Sequence, residues 1–225
     1  MDLKSEIRSR MAEQGPFGVW TPTDFLDLGS RDAVDQALSR MTIGGDIRRI
    51  TRGLYDLPRP NTLTGKPTNP DPRRVIDALA RRDQARMLVD GLTAANDLGL
   101  SDAVPARIAV HTDARLRAIK LGAQTITFKP TAPSRLYWAG RPGMRVVQAL
   151  HWLRDMLNSD HERIARRLAS ILADPKHGQA ITADLREGLT TLPGWMQSFL
   201  RPLLDQSGQG PSQEKHSKRQ TETRP

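Results

Sequence analysis

The sequence predicts an α+β protein in which a small N-terminal domain precedes a second domain of a short, mostly antiparallel sheet packed with helices. Two short helical patterns followed by a basic hairpin occupy the first 58 residues, and a proline-rich break follows at residues 59–72. From residue 73 to residue 205 the hydrophobic period changes from helical to alternating and back to helical. A chain of 225 residues is long enough for two such domains.

The basic hairpin is predicted at residues 45–58, where isoleucines flank a pair of arginines and Leu54 and Tyr55 follow a glycine. β-branched and aromatic residues on both sides of a glycine favour two short strands. Gly53 can adopt a positive φ, so residues 51–53 are expected to form the tip. No acid lies between Asp46 and Asp56, and the three arginines of this stretch are therefore expected to project unneutralised.

A helix is predicted immediately before the hairpin, at residues 31–43. Ser30 is a favourable N-cap, and Gly44 suits the C-terminal end. Val34, Leu38 and Met41 recur at helical spacing and form one apolar stripe. The opposite face carries the polar side chains that bond base edges and phosphates.

A second short helix is predicted at residues 21–29, where a threonine cap precedes Pro22 and Gly29 ends the pattern. Two helices joined by such a tight turn form a helix-turn-helix, whose second helix normally enters the major groove of DNA. An amphipathic helix upstream and a short strand at residues 18–20 complete the order helix, strand, helix, turn, helix, hairpin. This order is typical of a winged helix-turn-helix, and we expect the domain to bind double-stranded DNA.

The predicted DNA contacts fall into three groups. The helix face nearest the bases presents Arg31, Gln36, Ser39 and Arg40. The hairpin presents Arg48, Arg49, Thr51 and Arg52 to phosphate or to the minor groove. Thr21 and Thr23 are expected to bond phosphate at a helix N-terminus.

Charge supports an anionic partner but is unevenly distributed over the net +9 of the chain. Residues 1–60 carry nine Lys and Arg against nine Asp and Glu, residues 61–205 carry 21 against 14, and residues 206–225 carry four against two. The predicted DNA-binding domain is therefore neutral overall and basic only in its hairpin. The second domain is expected to contribute to holding a nucleic acid.

Cysteine is absent, which excludes disulfides and thiolate metal sites and fits a reducing compartment. The N-terminus lacks the apolar core of a signal peptide, and no apolar run approaches the length of a membrane span. We therefore expect a cytoplasmic protein that does not contact the membrane.

The second domain is predicted at residues 73–205, after a linker at residues 61–72. Helices are expected at residues 71–86 and 93–98, and strands at 106–112, 117–121 and 124–129, with a short edge strand at 136–138. Four further helices are predicted at 143–158, 160–173, 180–189 and 195–204. Residues 206–225 contain no apolar residue except proline and are predicted to be a disordered tail.

No catalytic pattern is present, so the sequence predicts neither an enzyme nor a cofactor. The five histidines do not pair at metal-ligand spacing, and no metal site is expected. The chain also lacks a phosphate-binding loop of the Walker type and a nucleophile elbow.

Two blocks of sequence resemble the AbiEi-type antitoxins of bacterial type IV toxin–antitoxin, or abortive-infection, systems. The first block comprises residues 34–40 (VDQALSR) and 45–58 (GDIRRITRGLYDLP) and resembles the N-terminal winged domain of those antitoxins. The second comprises residues 90–100 (DGLTAANDLGL), 104–108 (VPARI) and 125–129 (TITFK). The resemblance covers roughly residues 1–175.

The resemblance implies a repressor that binds the promoter of its own operon through the winged domain. The C-terminal domain would carry the antitoxin activity against a nucleotidyltransferase-like toxin encoded by the partner gene. Two alternatives remain open: the winged domain is a protein-docking surface that does not bind DNA, or the basic residues of 61–205 bind RNA. Few aromatic residues are available to stack on bases, which disfavours RNA.

Overall fold

The computed structural model of the chain describes residues 2–13, 18–63 and 65–206. The protein is a mixed α+β structure with two small sheets. It divides into two compact units, Met1–Arg154 and Asp155–Pro225, and both sheets belong to the first.

The N-terminal module consists of the elements from α1 to β3. These are α1 (Leu3–Glu13), β1 (Val19–Trp20), a 3₁₀ turn (Pro22–Phe25), α2 (Arg31–Ile43), β2 (Arg48–Thr51) and β3 (Leu54–Asp56). The strands form an antiparallel sheet in the order β1-β3-β2, so the central strand β3 pairs with both of the others. The predicted hairpin and its pairing with the strand near residue 19 are therefore confirmed.

One hydrophobic core holds the two helices and the sheet of this module together. α1 contributes Ile7 and Met11, α2 contributes its apolar stripe, and Trp20 and Tyr55 come from the sheet. Burial of each large apolar side chain stabilises the fold by about 1.5–3 kcal/mol. Since every element of the module contributes to this cluster, the elements are expected to fold together.

The hairpin and α2 end as the sequence predicts. Gly53 has φ +70 at the hairpin tip, a conformation that glycine adopts without steric cost. The Ser30 hydroxyl accepts a hydrogen bond from the backbone of Ala33 and caps α2. Gly44 is the C-cap of the helix with φ −74, whereas Gly45 takes the left-handed conformation with φ +76.

The predicted helix at residues 21–29 is wrong in length and type. Only Pro22–Phe25 is helical, as a single 3₁₀ turn. The backbone N–H of Asp24 donates to the carbonyl of Thr21, and that of Leu28 donates to the carbonyl of Phe25. These bonds span three residues rather than four, because the Asp24 carboxylate turns back to accept from the backbone of Thr21 and tightens the turn.

The second sheet lies in the same compact unit and has four strands. The elements are α3 (Pro72–Asp83), β4 (Met87–Val89), α4 (Gly91–Asp97), β5 (Arg107–Thr112), β6 (Ile119–Leu121), β7 (Gln124–Pro130) and α5 (Met144–Leu153). The strand order is β4-β5-β7-β6. β4 with β5 and β6 with β7 pair antiparallel, whereas β5 and β7 pair parallel over six residues.

Two buried carboxylates fasten the helices of this part. Asp97 at the end of α4 accepts from Arg73 of α3 at 2.6 Å and from Arg145 of α5 at 2.9 Å. Asp90 caps α4 by accepting from the backbone of Thr93 and also accepts from the backbone N–H of Ala109 in β5. The side chain of Asp97 is only 6% exposed, so its two arginines supply the compensation that a buried charge requires.

Two strand predictions in this part are wrong. The strand β4 has three consecutive buried apolar residues and shows no alternation, so the sequence did not reveal it. The predicted edge strand at residues 136–138 is a pair of turns, because the N–H of Leu136 donates to Pro133 and its carbonyl accepts from Ala139. A 3₁₀ turn, Pro133–Arg135, precedes it.

The predicted linker at residues 61–72 is part of the first compact unit. Pro60 and Pro67 form an isolated antiparallel bridge, and the carbonyl of Thr68 accepts a hydrogen bond from Arg48 of β2. The residues on either side of Thr64 are thereby attached to the N-terminal module. The predicted boundaries at residues 60 and 72 remain a prediction about which pieces fold alone.

The second compact unit contains α6 (Leu157–Leu172), α7 (Gly178–Gly188) and α8 (Gly194–Gln206). The backbone leaves the helical conformation at Asp160, close to the predicted break between helices. α6 buries Leu157, Ile164, Leu168 and Leu172 as the predicted stripes require. Apart from Gln206, which ends α8, the predicted disordered tail lies outside the described residues.

No helix in the described part of the chain is both long and apolar enough to cross a membrane.

Candidate nucleic-acid interface

The predicted base-contacting residues lie on the solvent-exposed side of α2. Burial of Val34, Leu38 and Met41 turns the opposite side of the helix outward. At spacings of four, three and four residues, a ridge of exposed side chains follows that outer side: Asp32, Gln36, Ser39 and Ile43. Ile43 is 85% exposed, and a large apolar side chain this open to water is suited to contact with another molecule.

Arg31 and Arg40 flank this ridge and differ in their pairing. The Nε of Arg31 donates to Asp35 at 2.9 Å in an exposed pair between successive turns. Such exposed pairs contribute about 0.3–0.5 kcal/mol, so a phosphate can replace the carboxylate at little cost. Arg40 is exposed and has no ion pair among the described residues.

Arg48 does not project freely from the hairpin, which corrects the prediction that its arginines are unneutralised. Its guanidinium donates to both carboxylate oxygens of Asp56 on the neighbouring strand and to the carbonyl of Thr68. The Asp56 side chain is only 8% exposed. Arg48 therefore compensates a buried carboxylate and anchors the chain that follows the hairpin, so it does not belong to the candidate interface.

The other hairpin residues remain available. Adjacent residues of a strand point to opposite faces, so Arg49 faces away from the side occupied by the Arg48–Asp56 pair. Arg49 and Arg52 are exposed, and Thr51 is half-buried at the end of β2. A register shift between Arg49 and Thr51 locally increases the twist of the hairpin toward its tip.

The two threonines of the 3₁₀ turn have different environments. Thr21 is 2% exposed, and its hydroxyl donates to Asp24 at 3.1 Å. A side chain so enclosed does not reach a phosphate, so Thr21 is left out of the candidate interface. Thr23 is exposed.

Pairing within the N-terminal module separates its nine basic residues into two groups. Five bind a carboxylate of the module: Lys4, Arg8, Arg10, Arg31 and Arg48. Within the described residues, the remaining four have no ion pair: Arg40, Arg49, Arg52 and Arg59. All four follow the middle of α2 in the chain, so the free positive charge is confined to the end of α2, the hairpin and its exit.

The carboxylates that accept these pairs remain ionised under ordinary conditions. A hydrogen bond from Lys4, together with the charges of Lys4 and Arg8, lowers the pKa of Asp46, although partial burial opposes it. A hydrogen bond from Arg10 lowers the pKa of Asp27. Both pairings therefore persist above the usual pKa of an aspartate and weaken only when the pH falls through the lowered value.

A residue outside the predicted domain supports the hairpin tip. Arg82 of α3 donates to the carbonyl of Arg52 and binds Asp83 through two further hydrogen bonds. Its Cδ lies 3.6 Å from the position that a Cβ on Gly53 would occupy. The sequence showed Arg82 only as an exposed helical arginine, since its contact with a turn 30 residues earlier depends on tertiary structure.

Metal-binding geometry is absent from the described residues, where no three His, Asp or Glu side chains converge. His111 contacts Thr131, and burial, with a smaller effect from Arg154, lowers the pKa of His151.

A model of a family of unknown function, DUF6088, matches residues 6–177, more than half of the chain. The chain belongs to this family. The DUF6088 match begins within α1 and ends just before α7, so it spans the candidate interface and the second sheet. No curated protein matches the chain. Because the description of DUF6088 gives no activity, the function must be argued from the geometry.

Replacing Arg48 with alanine is expected to destabilise the protein. The change leaves a buried carboxylate without its cation, which costs about 1–3 kcal/mol, and the partial exposure of Arg48 keeps the loss below that of a fully buried pair. The matched control is Arg49→Ala, on the next residue of β2, which should change stability by no more than about 0.5 kcal/mol. Denaturant unfolding measures both, and equal effects would contradict the anchoring role.

Proposed function

We propose that this protein is a DNA-binding transcriptional repressor and antitoxin of a bacterial type IV toxin–antitoxin system. In this proposal the N-terminal module is a winged helix-turn-helix that binds the promoter of its own operon. The rest of the chain counteracts a nucleotidyltransferase-like toxin. The order helix, strand, helical turn, helix and hairpin on one core supports the winged assignment.

The observation that carries the DNA-binding part is the confinement of unpaired arginines. The module has no net charge, yet the described part of it leaves Arg40, Arg49, Arg52 and Arg59 without a carboxylate. Phosphate contacts by such side chains release counterions from DNA and supply affinity that does not depend on sequence. A neutral module with a local cationic edge would bind in one orientation, because its remaining surface has no net attraction to phosphate.

Base recognition is assigned to the outer ridge of α2. An α-helix with its side chains is about 10–12 Å across, which fits a major groove about 12 Å wide. The amide of Gln36 can bond adenine through two hydrogen bonds, and Ser39 can bond either a donor or an acceptor. Asp32 repels phosphate but can accept from the amino group of cytosine, so its position also favours a base edge.

The antitoxin part rests on the resemblance to AbiEi-type proteins and on the size of the chain beyond the N-terminal module. A module of about 60 residues suffices for DNA binding. The second sheet, α5 and the three helices of the second unit are then available for a further role. A repressor that is also the antitoxin couples toxin production to its own concentration.

Removing the free hairpin charges tests their proposed binding to phosphate. Each arginine that no longer binds a phosphate should lower the salt slope of binding by about one unit, so Arg49→Gln/Arg52→Gln should lower it by about two. The control is Lys4→Gln/Arg8→Gln, which removes the same charge from the same module at side chains paired with Asp46. Fluorescence anisotropy with promoter DNA at several salt concentrations measures the slope. The same slope in both double variants would refute the proposal.

Replacing Gln36 with alanine tests base recognition. Removal of a base contact made through two hydrogen bonds costs about 1–3 kcal/mol of discrimination. Affinity for promoter DNA should therefore fall while affinity for random DNA is kept. Ser5→Ala, an exposed polar change on α1, should alter neither affinity. Parallel titrations with the two DNAs measure the ratio, and an equal decrease on both would reassign Gln36 to phosphate or to structure.

The hairpin variant also separates repression from antitoxin activity in the full chain. Arg49→Gln/Arg52→Gln should release a promoter–reporter fusion from repression and still rescue cells that produce the toxin encoded next to it. The Lys4→Gln/Arg8→Gln control should retain both activities. Loss of rescue in a hairpin variant that folds normally would show that neutralisation also needs DNA binding.

A further inference from the structure

A cavity of about 490 Å³ opens beside the ends of β5 and β7, outside the candidate DNA interface. Its walls include His111 near the end of β5, Lys129 near the end of β7, Thr131 and Arg135 from the following turn, and Gln148 of α5. Small-molecule sites in proteins typically enclose about 300–1,000 Å³. The cavity is therefore large enough for a ligand of moderate size.

The strand topology accounts for the position of this cavity. β5 and β7 are neighbours and run parallel, with His111 opposite Lys129 in the register. The carboxyl ends of the two strands therefore reach the same edge of the sheet. In sheets with parallel strands, ligands bind in the crevice outside those carboxyl ends.

The cavity has a strongly cationic lining. None of the described residues that line it carries a carboxylate, whereas Lys129 and Arg135 both contribute their side chains. Within the described part of the chain neither of these two cations has an ion-pair partner. Arginine presents a planar pair of donors and lysine a compact charge, and together they suit the oxygens of a phosphate group.

The hydrogen bonds of Thr131 determine how His111 is held. The Thr131 hydroxyl donates to the carbonyl of Lys129 at 3.0 Å, and its oxygen lies 3.1 Å from Nδ1 of His111. A hydroxyl has a single hydrogen, so Nδ1 must be the donor to Thr131. In the neutral ring Nε2 is then left as an acceptor for a ligand hydroxyl, and a protonated ring can donate from Nε2 to an anion.

We propose that this cavity binds the phosphate group of a small phosphomonoester of the mononucleotide class. Lys129 and Arg135 hold the phosphate oxygens, and His111 and Gln148 bond the attached polar groups. Leu88 of β4, which is buried, supplies an apolar wall for the remainder of the ligand. The proposal goes beyond DNA binding, because its residues belong to the second sheet and its surroundings.

Isothermal titration of the full chain with inorganic phosphate and with adenosine monophosphate tests the proposal. Adenosine monophosphate should bind more tightly than phosphate, since only the nucleotide contacts the apolar wall. Lys129→Gln and Arg135→Gln should each weaken binding by about 10- to 100-fold, the effect of losing a charge-assisted hydrogen bond. The matched control, Lys120→Gln, removes an exposed charge from β6 and should bind as the unchanged protein does.

Amide chemical shifts provide a readout that needs no variant. Titration with adenosine monophosphate should shift the signals of residues 111 and 129–132. Absence of binding, equal affinity for phosphate and nucleotide, equal binding by all variants, or shifts confined to other residues would each overturn the proposal. A DNA duplex whose binding depends on Lys129 and Arg135, without any nucleotide binding, would also overturn it.

Discussion

Burial of one face of α2 is the constraint on which the rest of the N-terminal module depends. Leu38 lies in the core between α1 and the three-stranded sheet, and truncating such a side chain costs about 2–5 kcal/mol. With that face fixed, the ridge that contains Gln36 and Ser39 has to point into solvent. The proposed base contacts are thus a geometric consequence of the core, and neither a strongly basic helix nor a basic module is needed for them.

Buried carboxylates decide which arginines are free. Asp56 engages Arg48, and Asp97 engages one arginine from each of two helices, because a buried negative charge is costly without partners. These arginines stabilise the fold and cannot bind a ligand. The cations left over lie at the hairpin and around the cavity beside β7, at residues such as Arg49 and Lys129. Net charge alone does not distinguish these two groups.

Much of the fold followed from local sequence. The cap at Ser30, the apolar stripe of α2 and the glycine at the hairpin tip are short-range features, and each of these elements formed. β4 and the false strand at residues 136–138 could not be identified in this way. Three apolar residues are too few to show a period, and Leu136 uses its backbone in turns that depend on neighbouring prolines.

The sequence by itself determined which segments are helices and hairpins, because caps, turns and apolar periodicity act within a few residues. It also located the basic hairpin and the polar face of α2. Only the tertiary structure decided that Arg48 and Thr21 are enclosed, that Arg82 supports the hairpin tip, and that β5 and β7 run parallel. These outcomes depend on which distant groups meet when the chain folds, since burial and ion pairing are set by partners many residues apart.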